Sequence, residues 1–217
     1  MITPSFLVKQ FPADQARVQN DVFYFTPHMI GRTVLICGKK RSRFPFQCLV
    51  GPDWHCMLLT YTLIGVPSGL FIHYAAYLLH PAVFIVAILS TMLLLLLFSL
   101  TACSDPGTIY QEVGGDSRRS NGEGGVSRDE TRRQRGNDAN RLECGACGIS
   151  RPKSASHCYE CQTCTDELDH HCPWTGKCIG KRNLFFFQMF TAYLVVHIIL
   201  ILAGLLWFSS RGQWASV

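Results

Sequence analysis

Hydrophobic and polar positions are segregated along this chain into long blocks. The first apolar block, CMLLTYTLIGVPSGLFIHYAAYLL, runs from Cys56 to Leu79 without one Asp, Glu, Lys or Arg. The second runs from Ala82 to Ala102 and the third from Leu184 to Phe208, both free of charge. Each exceeds the ~20 residues with which an α-helix crosses a hydrocarbon core. Residues 1–30 contain no apolar run of signal-peptide length. The pattern predicts three transmembrane helices, 56–79, 82–102 and 184–208. Only His80 and Pro81 separate the first two, which makes them a tight hairpin. Pro67 is expected to bend the first, because proline removes a backbone hydrogen bond and crowds the preceding turn. His73 and His197 fall within apolar runs, where ionisable side chains are candidates for function.

Composition agrees with that pattern. Of 217 residues, 48% are hydrophobic and only 16% charged, against roughly 25% charged in soluble domains. Mean hydropathy is +0.15, which excludes a uniformly disordered chain. The basic residues orient the helices. Seven Lys and Arg lie in residues 1–55, twelve in 103–183, none in the hairpin turn and one, Arg211, in the tail 209–217. The positive-inside tendency puts 1–55 and 103–183 in the cytoplasm. Seven of the eleven cysteines lie between Cys144 and Cys178. In a reducing compartment such a cluster points to metal binding or catalysis rather than disulfides.

The cytoplasmic middle divides in two. Within 103–141, residues 111–141 are rich in Gly, Ser, Arg and Asp and lack aromatics, so they read as a flexible linker. Residues 142–183 are dense in Cys and His: Cys144 and Cys147, then His157, then Cys158, Cys161 and Cys164, then His170, His171, Cys172 and Cys178. A C-x2-C pair puts two thiolates on one turn, where they can share a tetrahedral Zn²⁺. Two closed sites take eight of these ten candidates, and their binding energy would fold a segment too polar for its own core. Spacing alone does not say which two are left over. Asp169-His170-His171-Cys172 does bring a carboxylate, an imidazole and a thiol together, and a thiol with a free pKa near ~8.5 becomes a good nucleophile beside such a base.

These residues carry a resemblance. DHHCPW at 169–174, then CIG at 178–180 and Asn183, on a Cys-rich segment between membrane helices, are similar to the DHHC-type protein S-acyltransferases (palmitoyltransferases). Ser104-Asp105-Pro106-Gly107 resembles that family's Asp-Pro-Gly motif. The resemblance implies a membrane α-helical fold with a cytoplasmic two-zinc module of β-hairpins and loops between helices 2 and 3. By match, the first zinc would be held by Cys144, Cys147, His157 and Cys164, and the second by Cys158, Cys161, His171 and Cys178. His170 and Cys172 are then the two left over. The implied reaction moves a fatty acyl group, palmitoyl-like, from acyl-CoA to cysteine thiols of substrate proteins. Cys172 would be the acylated nucleophile, His170 the base and Asp169 its orienting carboxylate. Arg151, Lys153, Lys181 and Arg182 are candidates for the CoA phosphates, and Trp174 for a place near the thioester. The implied setting is a multi-pass protein of an endomembrane (ER or Golgi) or the plasma membrane, with the Cys-rich module cytoplasmic.

Two features depart from the family. Lys177 stands where the family usually has Asn, and the sequence leaves open whether it hinders packing or lowers the thiol pKa. The family has four membrane helices and a further Thr-Thr-x-Glu-like motif, so a chain with three reads as C-terminally truncated. The alternative is therefore an inactive truncated form acting as a zinc-stabilised membrane scaffold or partner-binding protein. A nucleic-acid partner is not expected, since residues 103–183 balance twelve basic against twelve acidic residues and lack C2H2 spacing.

Overall fold

A computed structural model describes residues 23–24, 27–39, 47–110 and 141–211. The linker expected at 111–141 lies outside them except for Arg141, as does most of the tail. Strand β3 (Thr33–Lys39) organises the N-terminal part. It pairs antiparallel with β1 (Phe23–Tyr24) and β2 (His28–Ile30) along one edge and with β4 (Gln47–Val50) on the other. Ile30, Leu35, Leu49 and Tyr110 form its small core. The β2–β3 turn docks onto the Cys-rich module, with Arg32 N donating to Cys161 O at 2.8 Å. Gly31 holds φ +60 there, and a Cβ on it would lie 2.3 Å from Gln162 O, so only glycine fits this approach.

Helix α1 (Trp54–Phe71) continues through a π-helical turn (Ile72–Ala76) into α2 (Tyr77–Leu79). The chain stays α-helical through Pro67, and the departure from α geometry comes at Ile72–Ala76 instead. His80 caps the next helix by accepting from Ala82 N at 3.1 Å, with Pro81 at the first position, where its missing N–H costs nothing. That helix is α3 (Pro81–Cys103), and α4 (Leu184–Ser210) follows the Cys-rich module. Three helices, Trp54–Ala76, Pro81–Cys103 and Leu184–Ser210, are long and apolar enough to cross a membrane.

Inside this trio, Met57, Ile64, Leu94, Phe98, Ala102 and Phe190 pack together. The Phe98 ring meets Tyr61 edge-on at 4.6 Å and Phe190 at 5.0 Å. Near the other end Phe71, Ala75, Ala76, Leu79 and Phe208 form a second cluster. Gly204 admits the Phe71 ring, which a Cβ would meet at 2.4 Å. Leu63, Val66, Leu89, Met92, Val195 and Leu206 face outward, as lipid contact requires. His197 is buried between helices: its Nε2 lies 2.9 Å from Ser68 Oγ and its Nδ1 2.8 Å from Ser90 Oγ, which also accepts from Tyr193. His73 sits exposed in the π turn, its ring against Tyr74.

Candidate active site and metal centres

The Cys-rich module consists of three antiparallel hairpins: β5 (Arg141–Cys144) with β6 (Ile149–Pro152), β7 (Ala155–Cys158) with β8 (Thr163–Asp166), and β9 (His170–Cys172) with β10 (Lys177–Ile179). Side chains alternate faces along a strand, and that alternation sorts the ligands. His157 and Cys158, adjacent on β7, join different clusters. One cluster is Cys144, Cys147, His157 and Cys164; the other is Cys158, Cys161, His171 and Cys178. In each, all four ligand atoms lie within 4.8 Å of one another.

The donor spacings test whether zinc fits. A tetrahedron with metal–sulfur bonds of about 2.3 Å has sulfur–sulfur edges of about 3.8 Å. In the first cluster Cys147 and Cys164 Sγ are 3.8 Å apart, and His157 Nδ1 lies 3.1 and 3.9 Å from them. In the second, Cys161 and Cys178 Sγ are 3.5 Å apart, and His171 Nδ1 lies 3.3 to 3.8 Å from the Cys158, Cys161 and Cys178 sulfurs. Three soft sulfurs and one imidazole nitrogen in this arrangement fit a closed structural zinc site.

The same alternation on β9 divides His170, His171 and Cys172 between two faces. His171 points to the second cluster, while His170 and Cys172, two residues apart, share the opposite face. Both of them line a cleft of about 750 Å³ that runs between α1 and α4 over Leu94 of α3. On α4 the lining extends from Phe187 to Leu202, roughly 22 Å along the helix axis. The wall is nearly all apolar, and Ser68 and His197 reach it from the membrane interior. Cys172 is buried. His170 Nδ1 donates to Asp169 Oδ2 at 2.7 Å, and its ring meets Phe187 edge-on at 5.3 Å. After Cys172 a single 3-10 turn, Pro173–Thr175, ends on Gly176 at φ +80. Thr60 of α1 donates to Trp174 O at 2.9 Å, and Thr175 donates to Cys172 O at 3.1 Å. The exposed Trp174 ring belongs to the cleft rim.

The four candidate cations differ in their surroundings. Lys153 is exposed in the β6–β7 turn. Lys181 is exposed and pairs with Glu167 at 2.7 Å and Asp166 at 3.4 Å, carboxylates that raise its pKa. Arg182 is partly buried, 3.8 Å from Asp105, and Arg151 donates to Ala155 O.

Four side chains that sequence reasoning did not assign hold the site in place. Asp53, just ahead of α1, accepts from His171 Nε2 at 2.7 Å. Buried Asp105 accepts from Gly107 N, Thr108 N and the Tyr110 hydroxyl, shaping the turn after α3. Asn183 donates to Thr101 O and Cys178 O and accepts from Gly180 N, joining α3, β10 and the start of α4. Lys177 is fully buried, and desolvation pushes its pKa down to about 8. Its Nζ donates to Leu49 O and Ser104 O, both at 2.6 Å, so it ties β10 to β4 and to the end of α3. Of these four, Asp105 and Asn183 left a trace as parts of the family's motifs and Lys177 as a departure from them, but none of their bonds was legible, since most of the partners of Asp53, Asn183 and Lys177 lie far along the chain.

A Cys-rich β module carrying two Cys3His clusters, set against apolar helices with a cysteine in the lining of an apolar cleft, defines a class: membrane-embedded helical proteins with a Cys/His-rich module. Residues 138–213 match the family described as DHHC palmitoyltransferase, and the chain belongs to that family. It is 32% identical over 167 residues to Protein S-acyltransferase 8 of Arabidopsis thaliana, covering 67% of this chain and 41% of that protein. It is 35% identical over 169 residues to Palmitoyltransferase ZDHHC14 of Homo sapiens, covering 65% of this chain and 35% of the relative. To Palmitoyltransferase ZDHHC7 of Rattus norvegicus it is 44% identical over 75 residues, 33% of this chain and 24% of the other. The chain thus spans about two fifths or less of these curated relatives.

Proposed function

We propose that this chain is a membrane protein S-acyltransferase that moves a long fatty acyl group from acyl-CoA to cysteines of substrate proteins. The observation that carries the reading is the position of Cys172, buried at the mouth of the apolar cleft with His170 on the same strand face. The cleft volume lies within the roughly 300–1,000 Å³ of small-molecule sites, and its length along α4 suits a long chain.

In the first step His170 Nε2 takes the thiol proton, and the Cys172 sulfur attacks the thioester carbonyl. The carbon–sulfur bond to CoA breaks, and the CoA thiolate leaves with the proton from His170. In the second step a substrate thiol attacks the Cys172 thioester, its proton passes through His170, and Cys172 is regenerated. Asp169 holds His170 in the tautomer with Nδ1 protonated and stabilises its charged form. Trp174 at the rim shields the reacting thioester. The eight ligands named above would hold two structural zinc ions, which supply folding energy to the module and keep no open position. Lys153 and Lys181, the exposed members of the cation set, would meet the CoA phosphates first. The module faces the cytoplasm, on an endomembrane or the plasma membrane, where acyl-CoA and substrate proteins meet.

The test is incubation of the purified chain with a tagged fatty acyl-CoA beside Cys172→Ser. Hydroxylamine-labile label on the wild type, absent from the variant, is expected. Equal labelling of both overturns the nucleophile, and no label on either favours a scaffold.

A further inference from the structure

We propose that Asp53 is a positioning residue for the second metal centre: its carboxylate orients His171 toward the metal and ties that centre to α1, which keeps the Cys172 turn at the cleft mouth. The catalytic consequence rests on the acyl-transfer reading above; the metal consequence does not. His171 Nδ1 faces three sulfurs at 3.3 to 3.8 Å. An imidazole that ligates through one nitrogen carries its proton on the other. That other nitrogen, Nε2, donates to Asp53 Oδ2 at 2.7 Å, across 118 residues of sequence. A carboxylate in this place fixes the ring's tautomer and orientation and raises its basicity as a ligand.

Asp53 is itself held. Its N–H donates to Gly176 O at 3.3 Å, and its carbonyl accepts from Cys56 N and Met57 N at the start of α1. Two turns further along, Thr60 donates to Trp174 O. Helix α1 therefore grips the turn after Cys172 at both ends, and the His171–Asp53 bond extends that grip to the metal. The first centre has no counterpart: His157 Nε2 is buried without a hydrogen-bond partner among the described residues. The reinforcement is confined to the centre on the back of the nucleophile strand.

The test uses the full chain purified in detergent as wild type, Asp53→Asn and Asp53→Ala. Zinc release is titrated with a chromophoric chelator, and Co²⁺-substituted samples give ligand-field spectra. In both variants one of the two metals is expected to leave at 10- to 100-fold lower chelator concentration, the range for loss of such a partner. The other metal stays as in wild type. Asp53→Asn is near-isosteric, so it keeps the fold and the comparison if Asp53→Ala does not fold. It should fall between the other two, since its amide oxygen still accepts the Nε2 proton. The cobalt bands of one centre should shift. Cys172 labelling should slow at saturating acyl-CoA with KM unchanged, because Asp53 does not line the cleft. Metal release like that of the wild type in both variants overturns the proposal. If the wild type takes no acyl label but the variants release one metal early, the acyl-transfer reading fails and the role of Asp53 at the metal stands.

Discussion

The two Cys3His centres have the same ligand types and interlock through neighbouring residues of β7, yet they sit in different mechanical settings. The first is held by the β5–β6 and β7–β8 hairpins, beside the exposed Leu142 and Tyr159. The second shares its β9–β10 hairpin with Cys172 and is tied to α1 through Asp53 and to the N-terminal sheet through Arg32. The same set of ligand types therefore sits in two different surroundings. The first cluster lies at an edge of the module, and the second lies behind the Cys172 strand and is bonded to the start of α1.

Removing one ligand from each centre should break the symmetry. Cys178→Ser is expected to abolish Cys172 labelling, more than 100-fold, and to lower zinc content from two ions to at most one. Structural zinc contributes on the order of 10 kcal/mol where it binds, so its loss would free the β9–β10 hairpin and the turn that follows Cys172. Cys147→Ser should also lose one zinc but keep about a tenth of the labelling, because His170, Cys172 and the cleft are held elsewhere. Metal analysis beside acyl labelling reads both. Equal loss of label in the two variants would make the centres one cooperative unit and end the distinction.

A smaller effect is expected where the sheet meets the second centre. Gly31→Val places a Cβ 2.3 Å from Gln162 O and strains φ +60, a cost of about 1–3 kcal/mol. The melting temperature should fall by several degrees, and one zinc should leave several-fold faster. If the faster metal proves to be that of Cys144 and Cys147, the sheet braces the wrong centre for this account.

The legible parts of the sequence are those set by local composition. Lipid tolerates neither charge nor unpaired backbone, so the helical runs had to be long and uniformly apolar, and the helices Trp54–Ala76, Pro81–Cys103 and Leu184–Ser210 lie over them. Cysteine density likewise marked the module. The sorting of its ligands depends on strand alternation in segments of three or four residues, too short to carry a pattern of their own; there the family resemblance, not the spacing, supplied an assignment. The sheet around β3 was not read at all, since Thr33–Lys39 is short and its partners are shorter. Asp53 was silent, and Lys177 and Asn183 showed only as a departure from and a match to the family pattern, because what they do lies in partners such as His171, Leu49 and Thr101, brought in from 82 to 128 residues away. Among the membrane histidines the sequence put His73 near a helix end, within reach of the interface, and packing leaves it exposed; the bonding of His197 to two serines was not legible.

Lys177 gives the smallest and most specific difference between the centres, since it precedes the Cys178 ligand and is a fully buried cation. Burial lowers its pKa from 10.5 to about 8 in the folded protein. Below pH 8 both folded and unfolded chains carry the charge, and the desolvation cost is fully present. Between pH 8 and 10.5 the folded chain holds fewer protons at this group than the unfolded chain, so this group's contribution to stability rises with pH. The gain approaches but does not exceed about 1.4 kcal/mol per pH unit. Lys177→Met removes that slope. It also leaves Leu49 O and Ser104 O without the ammonium, a penalty independent of pH, so the slope and not the absolute stability carries the information. Melting temperatures of wild type and Lys177→Met, compared from pH 7 to 9.5, should run parallel up to about pH 8 and then diverge in favour of the wild type. Parallel curves throughout would mean that the Leu49 and Ser104 carbonyls compensate the buried charge fully. The second centre would then be no more electrostatically burdened than the first.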